Sequence, residues 1–234
     1  MPRGDYGYDA PYALTFFGVA GAVTGTLAAI AWSAPVTFAS VLFLAQAASF
    51  FHTTRRGKFL EWERILDRLQ FRGDEKVLDI GCGRGAVLIA VARRLTTGRV
   101  NGVDIWNRMD QSGNAQEVTL RNALVEGVRD RVHIETADMR ALPFADGTFD
   151  LVVSSLAIHN IRSNADRKQA ITEAYRVLKP GGRIVIADIR ATRLYAETLR
   201  TLGASTIERH RLGWRFWWGN PIAATTLLRA RRIS

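Results

Sequence analysis

The chain has 234 residues, 47% hydrophobic and 23% charged, which leaves room for one ordinary domain and a modest extension. Its single cysteine excludes an internal disulfide and a cysteine-built zinc site, and no metal is expected. The formal charge of +10 is carried mostly by arginine, but no basic block is interleaved with aromatics, so no nucleic acid is expected as a partner.

Residues 1–11, MPRGDYGYDAP, are polar and are expected to form a loosely held tail that lacks the cationic start of a signal peptide. From Ala10 to Thr54 there is no Asp, Glu, Lys or Arg, a stretch that implies a second solvent besides water. Residues 13–31 are apolar and as a helix span roughly 28 Å, close to the hydrocarbon thickness of a bilayer. Gly21 and Gly25 form a small-xxx-small pair that admits another helix, which leaves a homo-oligomer through the membrane helices open. The uncharged tip Trp32-Ser-Ala-Pro35 breaks the run. Residues 36–51 then give a second apolar segment, short for a full span. Arg55, Arg56 and Lys58 follow at once, which puts both ends of a transmembrane hairpin over 12–54 in the cytoplasm.

Residues 57–70 predict an amphipathic helix whose apolar face is Phe59, Trp62, Ile65, Leu66 and Leu69. Beyond it, β-branched runs at 76–80, 99–104, 132–136, 149–154 and 183–188 alternate with helices near 85–96, 114–126, 164–178 and 190–202. That is the pattern of a parallel α/β sheet with helices on both faces. Two last strands, 205–212 and 223–231, are expected to pair as a hairpin around residues 213–221. The domain thus runs over 55–234.

The strongest chemical signal is Val77-Leu-Asp-Ile-Gly-Cys-Gly-Arg-Gly85, a buried strand ending in a glycine-rich turn that opens a helix. Gly81-x-Gly83-x-x-Ala86 alone nearly satisfies a dinucleotide fingerprint. Asp79 discriminates, because an acid there repels a pyrophosphate and suits the cationic amino group of an amino-acid moiety. Asp104 ends the next strand, where a carboxylate accepts ribose hydroxyls in either cofactor class. After the third strand, Asp138 is placed to accept an adenine amino proton and Met139 to pack on the ring. The polar loop Trp106-Asn-Arg-Met-Asp-Gln-Ser-Gly-Asn114 offers Trp106 as an adenine cover, with Asp110, Gln111 and Asn114 at the pocket mouth.

Together DIGCGRG, the strand-two acid, ADMRALPF-DGTFD and YRVLKPGGRIVIAD resemble class I (Rossmann-like) S-adenosylmethionine-dependent methyltransferases, and within them the quinone, sterol and phospholipid methylating group. The resemblance covers roughly residues 58–212 and implies a seven-stranded sheet. It implies S-adenosyl-L-methionine as cofactor, bound by Asp79, Gly81, Cys82, Gly83, Asp104, Ile105, Trp106, Asp138, Met139 and Ser155. The hairpin lies outside the family pattern.

Ser154-Ser-Leu-Ala-Ile-His-Asn160 follows the fourth strand, where the acceptor meets the methyl group in that family, and His159 and Asn160 are its candidate catalytic residues. Imidazoles titrate near neutrality, so a histidine there suits proton removal from an acceptor. The stretch lacks the Asp/Asn-Pro-Pro-aromatic motif of many base and amide methylases. Trp214, Trp217 and Trp218, beside Arg211 and Arg215, resemble a membrane-interface belt, expected at the strand ends opposite the donor pocket. The expectation is a membrane-anchored methyltransferase acting on a hydrophobic or lipid-like acceptor at the bilayer. The alternatives are an enzyme for a soluble small molecule and a non-catalytic cofactor-binding subunit.

Overall fold

The computed structural model describes residues 2–233. Two apolar helices open the chain, α1 (Pro11–Ala31) and α2 (Ala34–His52), each with proline in its first turn, where the missing N–H costs no hydrogen bond. Trp32 turns the chain between them with a left-handed backbone, φ 47°. Gly21 lies against Leu44 and Gly25 against Ser40, whose hydroxyl donates to the Gly21 carbonyl at 2.9 Å. The small-residue pair is therefore filled by α2 itself. Outside this seam Phe16, Val19, Val23, Leu27, Ile30, Phe38 and Val41 are exposed. Only 11% of either apolar window is buried, the reverse of a core helix, and both helices are long and apolar enough to cross a membrane.

The second helix does not stop at a linker. It passes through a π-helical turn (Thr53–Gly57) into α3 (Lys58–Asp67), one helical run over Ala34–Asp67. The boundary expected at 54/55 falls inside this turn, and α2 by itself is longer than the segment read from the sequence. A π turn inserts a residue and rotates the helix face. The uniformly apolar surface of α2 gives way to a single stripe in which Trp62, Ile65 and Leu66 are buried. Gly57 is needed at the turn, since a Cβ there would run into the Arg215 carbonyl.

The sheet contains β1 (Lys76–Ile80), β2 (Arg99–Asp104), β3 (Val132–Thr136), β4 (Phe149–Ser155), β5 (Leu178–Asp188), β6 (Ser205–Arg211) and β7 (Thr226–Arg231). Their order is 3-2-1-4-5-7-6, with β7 antiparallel to both β5 and β6. The covering helices are α4 (Ala86–Ala92), α5 (Gln116–Val125), α6 (Asn164–Arg176) and α7 (Thr192–Thr201). Alternation along each strand divides the core between the two faces. Val77, Leu151 and Val185 pack with α3 and α4, while Leu78, Val152 and Ile184 pack with α6 and α7. β5 starts at Leu178 rather than 183, and its pairing with β4 shifts register between Phe149 and Leu151.

Two expectations fail here. Residues 2–10 do not hang loose. The Arg3 and Gly4 amides donate to Glu126 Oε1 at 2.6 and 2.9 Å, the Asp5 amide donates to Asn122 Oδ1 at 2.8 Å, and Tyr6 is buried edge-on to Phe59. Backbone-to-side-chain bonds of this kind leave no periodic trace in a sequence. Nor do Trp217 and Trp218 form an interface belt. Trp218 is 8% exposed, packs edge-on to Phe50 of α2 at 4.9 Å, and donates its indole N–H to Thr225 Oγ1 at 3.1 Å. Trp217 is half-buried, and its carbonyl accepts from Thr53 Oγ1 at 2.5 Å. The outward side chains of this loop are Trp214, stacked on His52, and Ile222. Because β7 is antiparallel, Thr226 lies beside Asp188, so the loop sits at the carboxyl ends of the parallel strands, on the same side as the glycine turn.

Trp218→Ala should cost about 3–5 kcal/mol of stability, the usual loss for a buried tryptophan, while Trp214→Ala should stay within about 0.5 kcal/mol. Thermal unfolding of the two variants in detergent checks the contrast.

Candidate donor and acceptor site

A cavity of about 1050 Å³ opens at the carboxyl ends of β1, β2, β4 and β5. Ligands of open α/β sheets bind in this crevice, where the strand order reverses. Its inner wall is the glycine turn. The Gly81 and Cys82 amides both donate to the Val103 carbonyl, which ties the turn to β2. Gly81 has φ +71° and its missing Cβ makes room for Ala157; Gly83, at φ +50°, faces Gln111 Oε1 in the same way. A side chain at either position would collide with these neighbours, so the turn keeps its shape only with glycine.

Asp79 is wholly buried behind this turn, and its Oδ1 has no hydrogen-bond partner. Burial, with a smaller push from the nearby Asp104 charge, raises its carboxyl pKa to about 8. The Cys82 thiol is pushed up by the same burial, so it is a packing group rather than a nucleophile. Asp104 accepts from the Gly83 amide at 2.8 Å, the Trp106 amide at 2.6 Å and Asn114 Nδ2 at 3.2 Å. A carboxylate has about four acceptor positions, so engaging both ribose hydroxyls requires one of these contacts to give way.

Of the residues singled out from the sequence, Asp79, Gly81, Cys82, Gly83, Asp104, Ile105, Asp138, Met139, Ser155, His159 and Asn160 all line this one cavity. Trp106 does not. Its left-handed backbone (φ 60°) turns the indole toward β3, where its N–H donates to Thr136 Oγ1 at 2.7 Å. Asp138 is gripped by the Arg140 guanidinium at 2.6 Å, and that hydrogen bonding holds its pKa below the usual carboxylate range. The Ser155 hydroxyl accepts from Trp62 Nε1 at 2.8 Å and so pins α3 to the end of β4.

The sequence reading missed what stands behind His159. Its Nδ1 lies 2.6 Å from Asp188 Oδ1, at ion-pair distance but off the hydrogen-bond direction. Asp188 is wholly buried at the end of β5 and accepts from the His159 amide at 3.1 Å, the Ile189 amide at 2.7 Å and the Tyr195 hydroxyl at 3.3 Å. Burial and the Asp188 charge raise the Tyr195 phenol pKa, which keeps it a donor. An acid closing a buried strand at the ligand end of the sheet was the available signal. Asp110, on the loop after β2, is close enough to His159 to feel its charge, and burial raises its carboxyl pKa.

The cavity continues past this pair. Ala13 and Phe17 of α1, Phe50 of α2, and Trp218 line its far end, so it reaches the base of the apolar hairpin. The tail contributes Tyr6 and Asp9, the latter bound to Lys58 Nζ at 2.5 Å and Gln111 Nε2 at 2.9 Å.

Residues 78–186 match the family described as a methyltransferase domain. Over these residues the chain has the Rossmann-like methyltransferase fold. Methyltransferase GfsG of Streptomyces halstedii is 39% identical over 127 residues, 54% of this chain and 42% of that protein. The ubiquinone/menaquinone biosynthesis C-methyltransferase UbiE of Geotalea daltonii is 30% identical over 134 residues, 56% of this chain and 53% of the other. This chain spans about half the length of these relatives. Among solved structures, geranyl diphosphate C-methyltransferase from Streptomyces coelicolor superposes with a TM-score of 0.61 at 19% identity, covering 77% of this chain and 81% of that one. That likeness is one of fold. A geranyl diphosphate methyltransferase has also been solved in complex with S-adenosylmethionine. The cavity here fits that donor: the unpartnered Asp79 Oδ1 suits an ammonium, and Asp104 lines the same cavity as the glycine turn.

The raised Asp79 pKa gives a signed prediction. The folded state holds a proton that the unfolded chain releases near pH 4, so this group's contribution to stability is lost as pH rises toward about 8. Asp79→Asn, which has no such proton to lose, should therefore gain in Tm over the wild type as pH climbs from 5 to 8, while binding the cationic donor more weakly. Wild-type donor binding near pH 7 should release a proton, seen by calorimetry in buffers of different ionisation enthalpy. A parallel Tm-versus-pH course for the two proteins would reject the assignment.

Proposed function

We propose that this chain is a membrane-anchored, S-adenosylmethionine-dependent methyltransferase acting on a hydrophobic acceptor that enters from the bilayer. The observation that carries the reading is the continuity of one cavity from the glycine turn to Phe17 and Phe50 at the base of the hairpin. Similarity to UbiE and to the demethylmenaquinone methyltransferase of Lactiplantibacillus plantarum, 37% identical over 131 residues, supports an apolar acceptor. The exposed apolar flanks of α1 and α2 support insertion, with both ends of the hairpin returning to the catalytic domain. Arg55 and Arg56 are exposed just past α2, and by the positive-inside rule that side is cytoplasmic.

When bound, the donor supplies an electrophilic methyl group whose transfer leaves a neutral thioether. The protein holds the partners in line and manages charge and protons. Asp79 would hold the donor ammonium, Asp104 a ribose hydroxyl, and Met139 with Asp138 the adenine. Met139 and Ala157 both lie close to Gly81, so the adenine side and the acceptor loop meet at the turn. His159 accepts a proton from the acceptor as its nucleophilic atom is alkylated, and the buried Asp188 beside Nδ1 stabilises the imidazolium that forms. Asn160, exposed at the cavity, is placed to orient the acceptor. Tethering keeps a membrane-dissolved acceptor at high local concentration around the site.

His159→Ala should lower kcat by roughly 10²–10⁴-fold, and Asp188→Asn by less, with donor affinity within about twofold of wild type. The measurement is incorporation of labelled methyl into a membrane lipid extract, resolved by mass spectrometry. Full activity in the histidine variant would remove it from the mechanism. The full chain should also resist salt and carbonate washing and come off membranes only in detergent, because burial of the hairpin is not ionic. Release by carbonate alone would reject insertion.

A further inference from the structure

The cavity is divided by charge. Its donor end carries Asp79, Asp104 and Asp138, which suits a cation. At the acceptor end, the loops that supply the His159–Asp188 pair each bring an arginine to the rim. Arg162 lies three residues beyond His159, and Arg190 two beyond Asp188. Both side chains are exposed, and among the described residues neither forms an ion pair or a side-chain hydrogen bond. The acids near them are committed elsewhere. Asp166 faces Arg140 at 3.3 Å, and Asp188 is buried against His159 and Tyr195. Asp110, on the loop after β2, accepts from Asn107 Nδ2 at 3.1 Å. Toward the hairpin the lining is Phe17, Phe50 and Trp218, with Arg55, Arg56 and the Asp9-paired Lys58 at the α2–α3 turn.

We propose that Arg162 and Arg190 form an anion-recognition site for the acceptor, which is an amphiphile with a phosphate or carboxylate on its head and an apolar tail running toward the hairpin. This rests on the reading of the cavity as an acceptor site, and it narrows that acceptor from any hydrophobic molecule to an anionic one. Arginine suits the task because its planar fork matches both oxyanions bidentately. Placing the anion beside His159 fixes the head next to the reacting centre, while the tail sets the depth of entry. The same two cations favour loss of a proton from an acceptor nucleophile by stabilising negative charge on the head.

The test uses the full chain in dodecyl maltoside micelles and calorimetric titration with dodecyl phosphate, dodecanol and inorganic phosphate. Dodecyl phosphate should bind saturably and at least tenfold tighter than either of the others. Arg162→Gln with Arg190→Gln should weaken it at least tenfold, and the double Lys variant should recover part of the loss. Arg55→Gln with Arg56→Gln, at the hairpin end of the same cavity, should change it little. Equal binding of dodecanol, equal binding of inorganic phosphate, or an effect confined to the Arg55/Arg56 pair would each overturn the proposal, the last by moving the anion to the hairpin end of the cavity. S-adenosylmethionine binding is titrated in parallel. If the Gln variant retains it, the site has been altered without unfolding. If the wild type lacks it, the methyltransferase reading fails while the anion result stands by itself.

Discussion

The structure turns on the junction between an apolar helix and the α/β sheet, and that junction is a helix that does not break. α2 runs through its π turn into α3, and the loop between β6 and β7 closes on it from the side. Phe50 meets Trp218, Thr53 bonds the Trp217 carbonyl, and Gly57 admits the Arg215 backbone. Asn220 Nδ2 donates to Gln46 Oε1 at 3.3 Å, satisfying a polar side chain within an otherwise apolar helix. These contacts make the orientation of the hairpin a property of the packed core. They also explain why the cavity can have aromatic hairpin residues at one end and a glycine turn at the other.

The donor end illustrates a different constraint. A carboxyl group wholly out of water, with an unbonded oxygen, is costly when charged. Here Asp79 answers by keeping its proton up to about pH 8. Under the proposed reading a cationic ligand removes that cost, so selectivity for it and a local weakness of the ligand-free fold have one cause. Asp104 is arranged oppositely. Its hydrogen bonds from Gly83, Trp106 and Asn114 are already made, and it serves to hold the turn and the following loop together before any ligand arrives. Two acids one strand apart thus divide the work, one kept open and one used as a tie.

Much of this was legible in the chain. The β-branched runs give β1, β2 and β3 to the residue, because buried parallel strands are short, apolar and closed by turn residues. The motif around Asp79 and Gly81 marks the pocket because only a small, special set of residues can form that turn. The stripe Trp62, Ile65, Leu66 and Leu69 marks α3 by its period. The sequence was less informative wherever the partner is distant. Nothing near Trp218 says that Phe50, far back in the chain, will cover it, and an arginine-flanked tryptophan cluster has the same local look at an interface as in a core. Nothing near Tyr6 says that Glu126 and Asn122 will strap the tail down.

What the sequence by itself determined, then, was the set of elements, the uncharged hairpin, and the place of the glycine turn, since each depends on neighbours within a few residues. Tertiary structure alone decided that the π turn joins hairpin to domain without a break, that β7 brings its loop to the donor side, and that Asp188 and Tyr195 stand behind His159. Those are long-range pairings. Each is selected by burial and hydrogen bonding among segments whose separation along the chain carries no signal of their meeting.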